Sequence, residues 1–334
     1  MKIFNRTNLR WLAFIVIAFI VLQIGVSTGM ISLVMQQSII SILINVILAV
    51  GLNLIVGFSG QLSLGHAGFM AIGAYATAVM TSQAPDYPTL FLSIIVGMII
   101  AGLVAFIVGY PILRLKGDYL AIATLGIGEI IRVAILNMPE VTNGAAGLSG
   151  IPLFLMNWQI AFVLAVIVVI FIANFVRSSH GRATIGVRED DIATQSLGIN
   201  LTKQKVISFV VGAMSGALAG SIHATYLGVI NPGQFTFDKS IDILIIVVFG
   251  GIGSITGSVV AAIVLGIINL YLQQFGAIRM LLYAAVLIGI MIFKPSGLLG
   301  NFELSFSKIF KRPQDTPGYV ENETDANNNQ EGAA

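Results

Sequence analysis

The chain has no cysteine and only three histidines, and charged side chains make up 10% of its 334 residues. Without cysteine it can form no disulfide framework, no thiolate nucleophile and no cysteine-ligated metal site. The histidines lie far apart in the sequence, which also argues against a histidine-based metal site. A net charge of +2 is too small to indicate a nucleic-acid-binding surface.

Catalytic motifs are missing as well. No P-loop motif, no Ser/His/Asp group and no pair of soluble carboxylates is found in the sequence. The glycine-rich run 249–258 lacks the lysine of a phosphate loop, and a helix break or close packing explains its glycines better. We therefore expect no enzyme activity, no metal and no cofactor bound by this chain. Any uphill transport would draw its energy from a partner or an ion gradient.

Hydrophobic residues are abundant instead, at 57% of the chain, and the mean hydropathy is +0.95. Soluble chains are about 45–50% apolar and about 25% charged, so a water-soluble globular domain is excluded. The composition predicts an all-α, polytopic integral membrane protein.

Apolar stretches long enough to cross a bilayer as helices recur along the chain, and we count about ten of them, or eight if the two short ones are discounted. The third and the eighth are short and rich in glycine. The candidates are 9–27, 31–56, 64–81, 89–110, 119–136, 159–176, 206–228, 241–254, 257–275 and 278–293.

The distribution of basic residues predicts the orientation of these spans. With the N-terminus in the cytoplasm, Lys239 and Arg279 lie outside, Arg132 lies within a span, and the remaining Lys and Arg residues are cytoplasmic. Basic loops stay on the cytoplasmic side during insertion, so both termini are expected there. The first span could be a cleaved signal peptide, but its apolar run is longer than usual and cleavage would leave an odd number of spans.

We expect residues 1–300 to form one transmembrane domain and residues 301–334 to form a cytoplasmic tail. From residue 313 onward the tail is rich in Asn, Glu and Pro and lacks apolar periodicity. Such a segment buries too little surface to offset its ordering entropy, so we expect it to be largely disordered.

The longest polar stretch between spans is the loop 177–204. Its centre is predicted to form a short helix from about Arg188 to Leu197, with acids in the first turn and Gly198 as the C-terminal stop. Ile192 and Ala193 would then share one small apolar face with Ser196 and Leu197. This face suits docking into a groove of another protein, although a solvated loop with a stray helix is the simpler alternative.

The run GRATIGVREDDIATQSLGIN (181–200) resembles the cytoplasmic coupling loop of ABC importer permeases, specifically of the branched-chain amino-acid permease family. The resemblance implies that the loop seats on an ATPase subunit. By position, Glu189 and Ala193 match the acid and the small residue of the loop signature, and Gly198 matches its glycine. The usual Glu-Ala-Ala run is not intact. The coupling residues carried over, together with their neighbours in the predicted helix, are Arg182, Arg188, Glu189, Asp190, Ala193, Leu197 and Gly198.

A second informative stretch, 51–80, combines many glycines with polar side chains inside an apolar region. Glycine weakens a helix, and unwound backbone at membrane depth is tolerated only where protein buries it or where it lines a wet cavity. We predict a broken or re-entrant segment beside a translocation pathway. A surface loop followed by a small-residue packing helix is the alternative. The pathway candidates here are Gly60, Gln61, Ser63, Gly65, His66 and Gly68.

This stretch also resembles the family through GFSGQLSLGHAGFMAIGAY (57–75), and further matches are 109–132, 248–266 and 293–300. The resemblance covers most of the chain and points to the longer of the family's two permease subunit types. It implies a second permease subunit, two ATPase subunits that use ATP, an extracytoplasmic solute-binding protein and an amino-acid substrate. It also implies a bacterial-type inner membrane. The glycine-broken stretches 57–73 and 249–258 suggest an inverted repeat.

Charged and small residues also occur inside the spans. Glu129 and Arg132 can pair at i,i+3 spacing, either as a pathway or gate group or as a neutralised structural pair. Gly212, Gly216 and Gly220 form a small-residue stripe that predicts close helix packing.

The interpretation that accounts for these features is that the chain is a permease subunit of an ATP-driven importer. The importer would carry branched-chain or related amino acids and work by alternating access. Related permeases serve urea, amides or simple sugars, and these substrates stay open. An ion-coupled secondary transporter with Glu129 as the coupling acid, or a membrane-embedded enzyme, are the rivals. Neither accounts for the loop 177–204.

Overall fold

The structure is a computed structural model that describes residues 6–272 and the single residues 275, 278, 284, 288 and 298. The chain divides into two units, Phe19–Glu303 and a terminal unit of Met1–Ala18 with Leu304–Ala334. In the terminal unit, the described residues 6–18 are helical. The tail 301–334 and nearly all of the tenth predicted span lie outside the described residues.

Within residues 6–272 the chain is almost entirely helical, as the composition predicts. The α-helices are α1 (Arg6–Ser27), α2 (Leu33–Asn53), α3 (His66–Gln83), α4 (Tyr87–Ile112), α5 (Asp118–Leu136), α6 (Pro139–Thr142), α7 (Trp158–Arg177), α8 (Ser179–Glu189), α9 (Asp191–Ser196), α10 (Leu201–Leu227), α11 (Phe237–Gly250) and α12 (Ile255–Leu272).

Six of the described helical segments are long and apolar enough to cross a membrane: Leu33–Phe58, Tyr87–Ile112, Asp118–Leu136, Trp158–Arg177, Leu201–Leu227 and Ile255–Leu272. Each coincides with a predicted span. The third and eighth predicted spans correspond to α3 and α11, which are helical but are not among the six. The described apolar part of α1, Ile15–Ser27, is also shorter than a full crossing.

The outer faces of α4 and α7 show why the chain needs a lipid environment. Large apolar side chains stand exposed along both helices, among them Phe91, Ile99, Phe106, Ile167 and Phe171. A contiguous apolar surface of this kind is unfavourable in water and favourable against acyl chains.

The most extensive helix packing in the unit Phe19–Glu303 is among α3, α4 and α10, where small residues lie at the contacts. An added Cβ on Gly73 would overlap the carbonyl oxygen of Ala217, and one on Gly220 would overlap the carbonyl oxygen of Met70. The predicted packing role of the stripe in α10 is thereby confirmed at Gly220. Phe69 of α3 and Phe209 of α10 add an edge-on ring contact at 5.5 Å.

Short strands and 3-10 turns lie in the connections between the long helices. Strand β1 (Leu148–Ser149) pairs antiparallel with β2 (Val229–Ile230), and single 3-10 turns occur at Gly144–Ala146, Leu153–Leu155 and Pro232–Phe235. The pairing ties the segment before α7 to the segment that follows α10. Sequence analysis did not predict this two-residue ladder.

Two helix breaks position the candidate site. After α2 the backbone widens into a π-helical turn, Leu54–Phe58, and residues 59–65 are non-helical until α3 begins. Between α11 and α12 the chain turns through Gly251 and Gly253, both with positive φ. Both breaks agree with the prediction that these glycine-rich stretches interrupt helices.

Candidate functional site

The loop 177–204 folds into two helices rather than one. The Ser178 hydroxyl caps α8 by accepting from the Gly181 amide at 3.2 Å, and α8 continues to Glu189. Asp190 is extended, and its carboxylate accepts from the amides of Ile192 and Ala193 at 2.8 and 3.0 Å.

The predicted helix of 188–197 is therefore wrong in its boundaries. Arg188 and Glu189 close α8, and the new helix begins only after Asp190, because aspartate is a strong N-cap residue. Gly198, with φ +79°, follows the helix end as predicted.

Helix α9 presents the small apolar face that the spacing predicts. Ile192 is 79% exposed and Leu197 is 81% exposed, and Ala193 and Ser196 are exposed beside them. The opposite side of α9 is held inward by Thr194, which is buried next to Gly186 of α8. The exposed face thus rests on a packed support.

Contacts at its base fix this loop to the membrane helices. The Thr184 and Ser208 hydroxyls lie 3.1 Å apart, which joins α8 to α10. Asp191 carboxylate oxygens lie 3.3 Å from Lys116 Nζ and 3.4 Å from Lys205 Nζ. Arg182 stays local and donates to the Arg177 carbonyl at 2.7 Å. These contacts link α9 and α8 to the start of α10.

The two helix breaks lie against each other, and we call their contact the glycine junction, defined by Gly57, Gly60, Gly251 and Gly253. Asn53 joins the two sides. Its Nδ2 donates to the Ser254 carbonyl at 2.9 Å, and its Oδ1 accepts from the Gly253 amide at 2.9 Å. A Cβ on Gly57 would overlap both Asn53 and Gly253, so glycine is required for this approach.

Arg188 reaches the glycine junction from the loop. Its Nη1 donates to the Gly57 carbonyl at 2.6 Å, and its Nε donates to Glu189 at 3.0 Å. A Cβ on Gly60 would lie 2.9 Å from Arg188 Cγ. The predicted coupling residue Arg188 and the predicted pathway residue Gly60 are thus neighbours, which no sequence signal indicated.

The segment 59–65 is buried for most of its length. Gln61 is 2% exposed, and its amide donates to Ser59 and, at 3.2 Å, to the Lys205 carbonyl. The Leu64 amide donates to Thr124 Oγ1 at 3.0 Å. Among the described residues, the buried Ser63 hydroxyl and both ring nitrogens of His66 have no hydrogen-bond partner.

Gly65 and Gly68 lie where α3 meets α5. A Cβ on Gly65 would overlap the Thr124 carbonyl, and a Cβ on Gly68 would lie 2.7 Å from Gly128 Cα. The His66 ring instead faces α10, 3.2 Å from the Cβ position of Gly216. These three predicted pathway residues therefore occupy tight helix contacts.

Glu129 and Arg132 form the ion pair that their spacing predicts. Arg132 Nε lies 3.0 Å from both carboxylate oxygens, and the Glu129 side chain remains 46% exposed. A small cavity between α3, α5 and the start of α11 is lined by Leu64, Gly68, Gly128, Glu129, Phe235 and Ser240. It brings together Gly68 and Glu129 from the predicted pathway set.

The family described as "Branched-chain amino acid transport system / permease component" matches residues 34–293, which is most of the chain. The chain belongs to this family. Family membership, together with six apolar helices, makes it a multi-pass protein of a bacterial-type inner membrane.

Curated members of the permease family resemble the chain over part of its length. The high-affinity branched-chain amino acid transport system permease protein LivM of Salmonella typhimurium is 34% identical over 69% of this chain and 62% of its own length. The Escherichia coli LivH permease protein is 32% identical over 44% of this chain and 47% of its own length. A probable LivM of Methanocaldococcus jannaschii is 23% identical. The chain spans about three fifths of the LivM relative from Salmonella, and no solved structure matches the chain significantly.

Proposed function

We propose that the chain is a permease subunit of an ATP-binding-cassette importer that moves branched-chain or related amino acids into the cell. The family match supports this proposal, as do relatives that are named as branched-chain amino-acid permease proteins. The observation that carries it is the apolar face of α9, where Ile192 and Leu197 are both about four-fifths exposed on a packed loop.

The proposed assembly follows from what the chain lacks and what it exposes. The chain has no nucleotide-binding motif, so in this proposal ATP is bound and hydrolysed by two ATPase subunits, one of which docks on α9 of this chain. A second permease subunit completes the conduit, and an extracytoplasmic binding protein delivers the amino acid. The chain itself performs no bond chemistry and binds no cofactor or metal. We place about ten spans in the membrane with both termini in the cytoplasm.

Transport in this proposal is alternating access, with the pathway bordered by the segment 59–68 and by α5. A partly exposed charged pair within a membrane span is tolerated where it lines a wet cavity, which fits Glu129 and Arg132. Gly68 and Glu129 line the same small cavity, as two residues along this route would. The wall of the pathway is held in place by the packing of Gly60, Gln61, Ser63, Gly65 and His66.

The docking step is tested by co-purification of the ATPase subunits with variants of α9. Ile192→Asp combined with Leu197→Asp places two charges on the proposed interface. We expect the affinity for the ATPase subunit to fall about 30-fold or more, as for loss of an interface hot spot. Gln195→Asp, an exposed change on the same helix, is the matched control and should bind normally.

Normal ATPase binding by the double variant would overturn the docking assignment.

Competition of leucine uptake by urea, acetamide and glucose tests the substrate class. Inhibition by isoleucine and valine, but not by these three compounds, is the expected pattern.

A further inference from the structure

The π-helical turn after α2 ends with carbonyl groups that have no partners within the helix. Two of them are satisfied nearby, because the Ser59 amide donates to Leu54 at 3.2 Å and the Gln61 amide donates to Ile55 at 3.1 Å. The Gly57 carbonyl is satisfied from a distant part of the chain, by Arg188 at 2.6 Å. A cation at a helix C-terminus is also favoured by the helix dipole.

The same guanidinium lies against the second helix break. A Cβ on Gly253 would lie 2.9 Å from Arg188 Nη1, and Asn53 hydrogen-bonds to the Gly253 amide on the other side. Arg188 therefore bonds to one side of the glycine junction at Gly57 and lies close to the other side at Gly253. The Glu189 carboxylate accepts from Arg188 Nε at 3.0 Å, and this ion pair orients the guanidinium.

Arg188 is also the residue of α8 that lies three positions before α9 begins, with two residues between them. Helix α8 is packed against its neighbours through buried Gly181, Thr184 and Val187. A push on the exposed face of α9 would reach Arg188 through two residues of backbone.

We propose that Arg188 is a positioning residue that ties the α8–α9 loop to the glycine junction, so that loop movement is passed to both membrane helix breaks through one guanidinium. This inference rests on the proposed function, because it assumes that an ATPase moves the loop. It adds the residue that transmits the movement and the backbone groups that receive it.

The first test measures coupling in the complete complex in proteoliposomes. Arg188→Met removes the donors and keeps the apolar stem. We expect ATPase subunits to co-purify normally, while most of the amino acid imported per ATP hydrolysed is lost. Arg188→Lys keeps the charge but cannot hold Gly57 and Glu189 together, and should give an intermediate ratio.

Arg114→Met is the matched control, since the Arg114 guanidinium stacks over the ring of Tyr110 of α4 at 5.0 Å. It should keep the native ratio. A native ratio in Arg188→Met would overturn the inference and leave the proposed function intact. Loss of ATPase co-purification in Arg188→Met would also overturn it, because Arg188 would then serve the docking face itself.

A second test follows movement directly and uses the absence of native cysteine. Spin labels at Gln195→Cys on α9 and at Ile252→Cys, between Gly251 and Gly253, report on each end, and both positions are exposed. On ATP trapping both labels should change mobility in the native background, whereas in Arg188→Met only the label at 195 should respond. A response at 252 that survives Arg188→Met would contradict the inference. No response at either label in the native background would instead contradict the proposed function.

Discussion

Asn53 is the buried polar side chain on which contact between the two helix breaks depends. It is fully buried and bonds with Gly253, with Ser254 and, at 2.7 Å, with the Ser258 hydroxyl. A buried amide in an apolar span is costly unless its hydrogen bonds are made, so these bonds fix one arrangement of the breaks.

Replacing Asn53 with leucine should destabilise the subunit. The Gly253 amide and its neighbours would lose their partner, at a cost of about 1–3 kcal/mol for each unsatisfied group. Thermal unfolding in detergent measures the effect as a lower midpoint. Asn45→Leu, at a half-buried position on the same helix, is the control. Equal midpoints for the two variants would show that the Asn53 bonds contribute little.

Substitutions at Gly65 and Gly68 test whether the glycines of this stretch allow close helix packing or leave space for the transported solute. From the sequence alone, leucine at either position is expected to block transport by filling the pathway. The structure adds a prediction, because a side chain at Gly65 would collide with backbone of α5 and push the helices apart. Gly65→Leu should therefore lower the unfolding midpoint as well as transport.

Gly126→Leu is the matched control for stability, since nothing lies within 4 Å of its Cβ position. Its midpoint in the isolated subunit should stay close to native. A Gly65→Leu subunit that is as stable as Gly126→Leu, yet inactive, would favour direct pathway blockage instead.

At the scale of elements, the coupling loop shows what local pattern can and cannot predict. The apolar face of α9 follows from i,i+3 and i,i+4 spacing, and that spacing is visible in the sequence. The division between α8 and α9 is not visible, because Arg188, Glu189 and Asp190 are all tolerated in a continuous helix. The side chain of Asp190 turned to the backbone decides the boundary.

Removal of this cap should weaken α9 selectively. Asp190→Ala is expected to cost about 1 kcal/mol, the usual value of an N-cap residue. A six-residue helix has little stability of its own, so amide exchange at Ile192 and Ala193 should accelerate. Hydrogen exchange with mass spectrometry measures this. Asp86→Ala is the control, since Asp86 precedes α4 without a side-chain cap bond; equal exchange of α9 in both variants would count against the cap.

The positions of the helix breaks were predictable from the sequence, but the contact between the two breaks was not. Glycine density in 51–80 and 249–258 indicates interrupted helices, and the structure places interruptions in both. Their meeting depends on Asn53 and Arg188, whose partners are more than a hundred residues away in sequence. Long-range pairing of this kind leaves no periodic trace, so a single sequence does not reveal it. The inverted repeat stays a prediction.

At the scale of the whole molecule, hydropathy is the strongest predictor of the membrane spans, because a segment that crosses the bilayer core must be a long apolar helix. Six predicted spans recur as helices that satisfy length and composition, while α3 and α11 are helical but fall short of those criteria. The helices that fall short adjoin the breaks, where glycine and polar residues replace apolar ones. Span count and orientation remain predictions of the basic-residue pattern.

The most direct measurement is leucine uptake by proteoliposomes with ATP enclosed or omitted. The central claim is that this chain conducts the amino acid and takes its driving force from docked ATPase subunits. It predicts accumulation only when the second permease, both ATPases, the binding protein and ATP are all present. Accumulation of leucine by the purified chain alone, driven by a proton or sodium gradient without ATP, would contradict it.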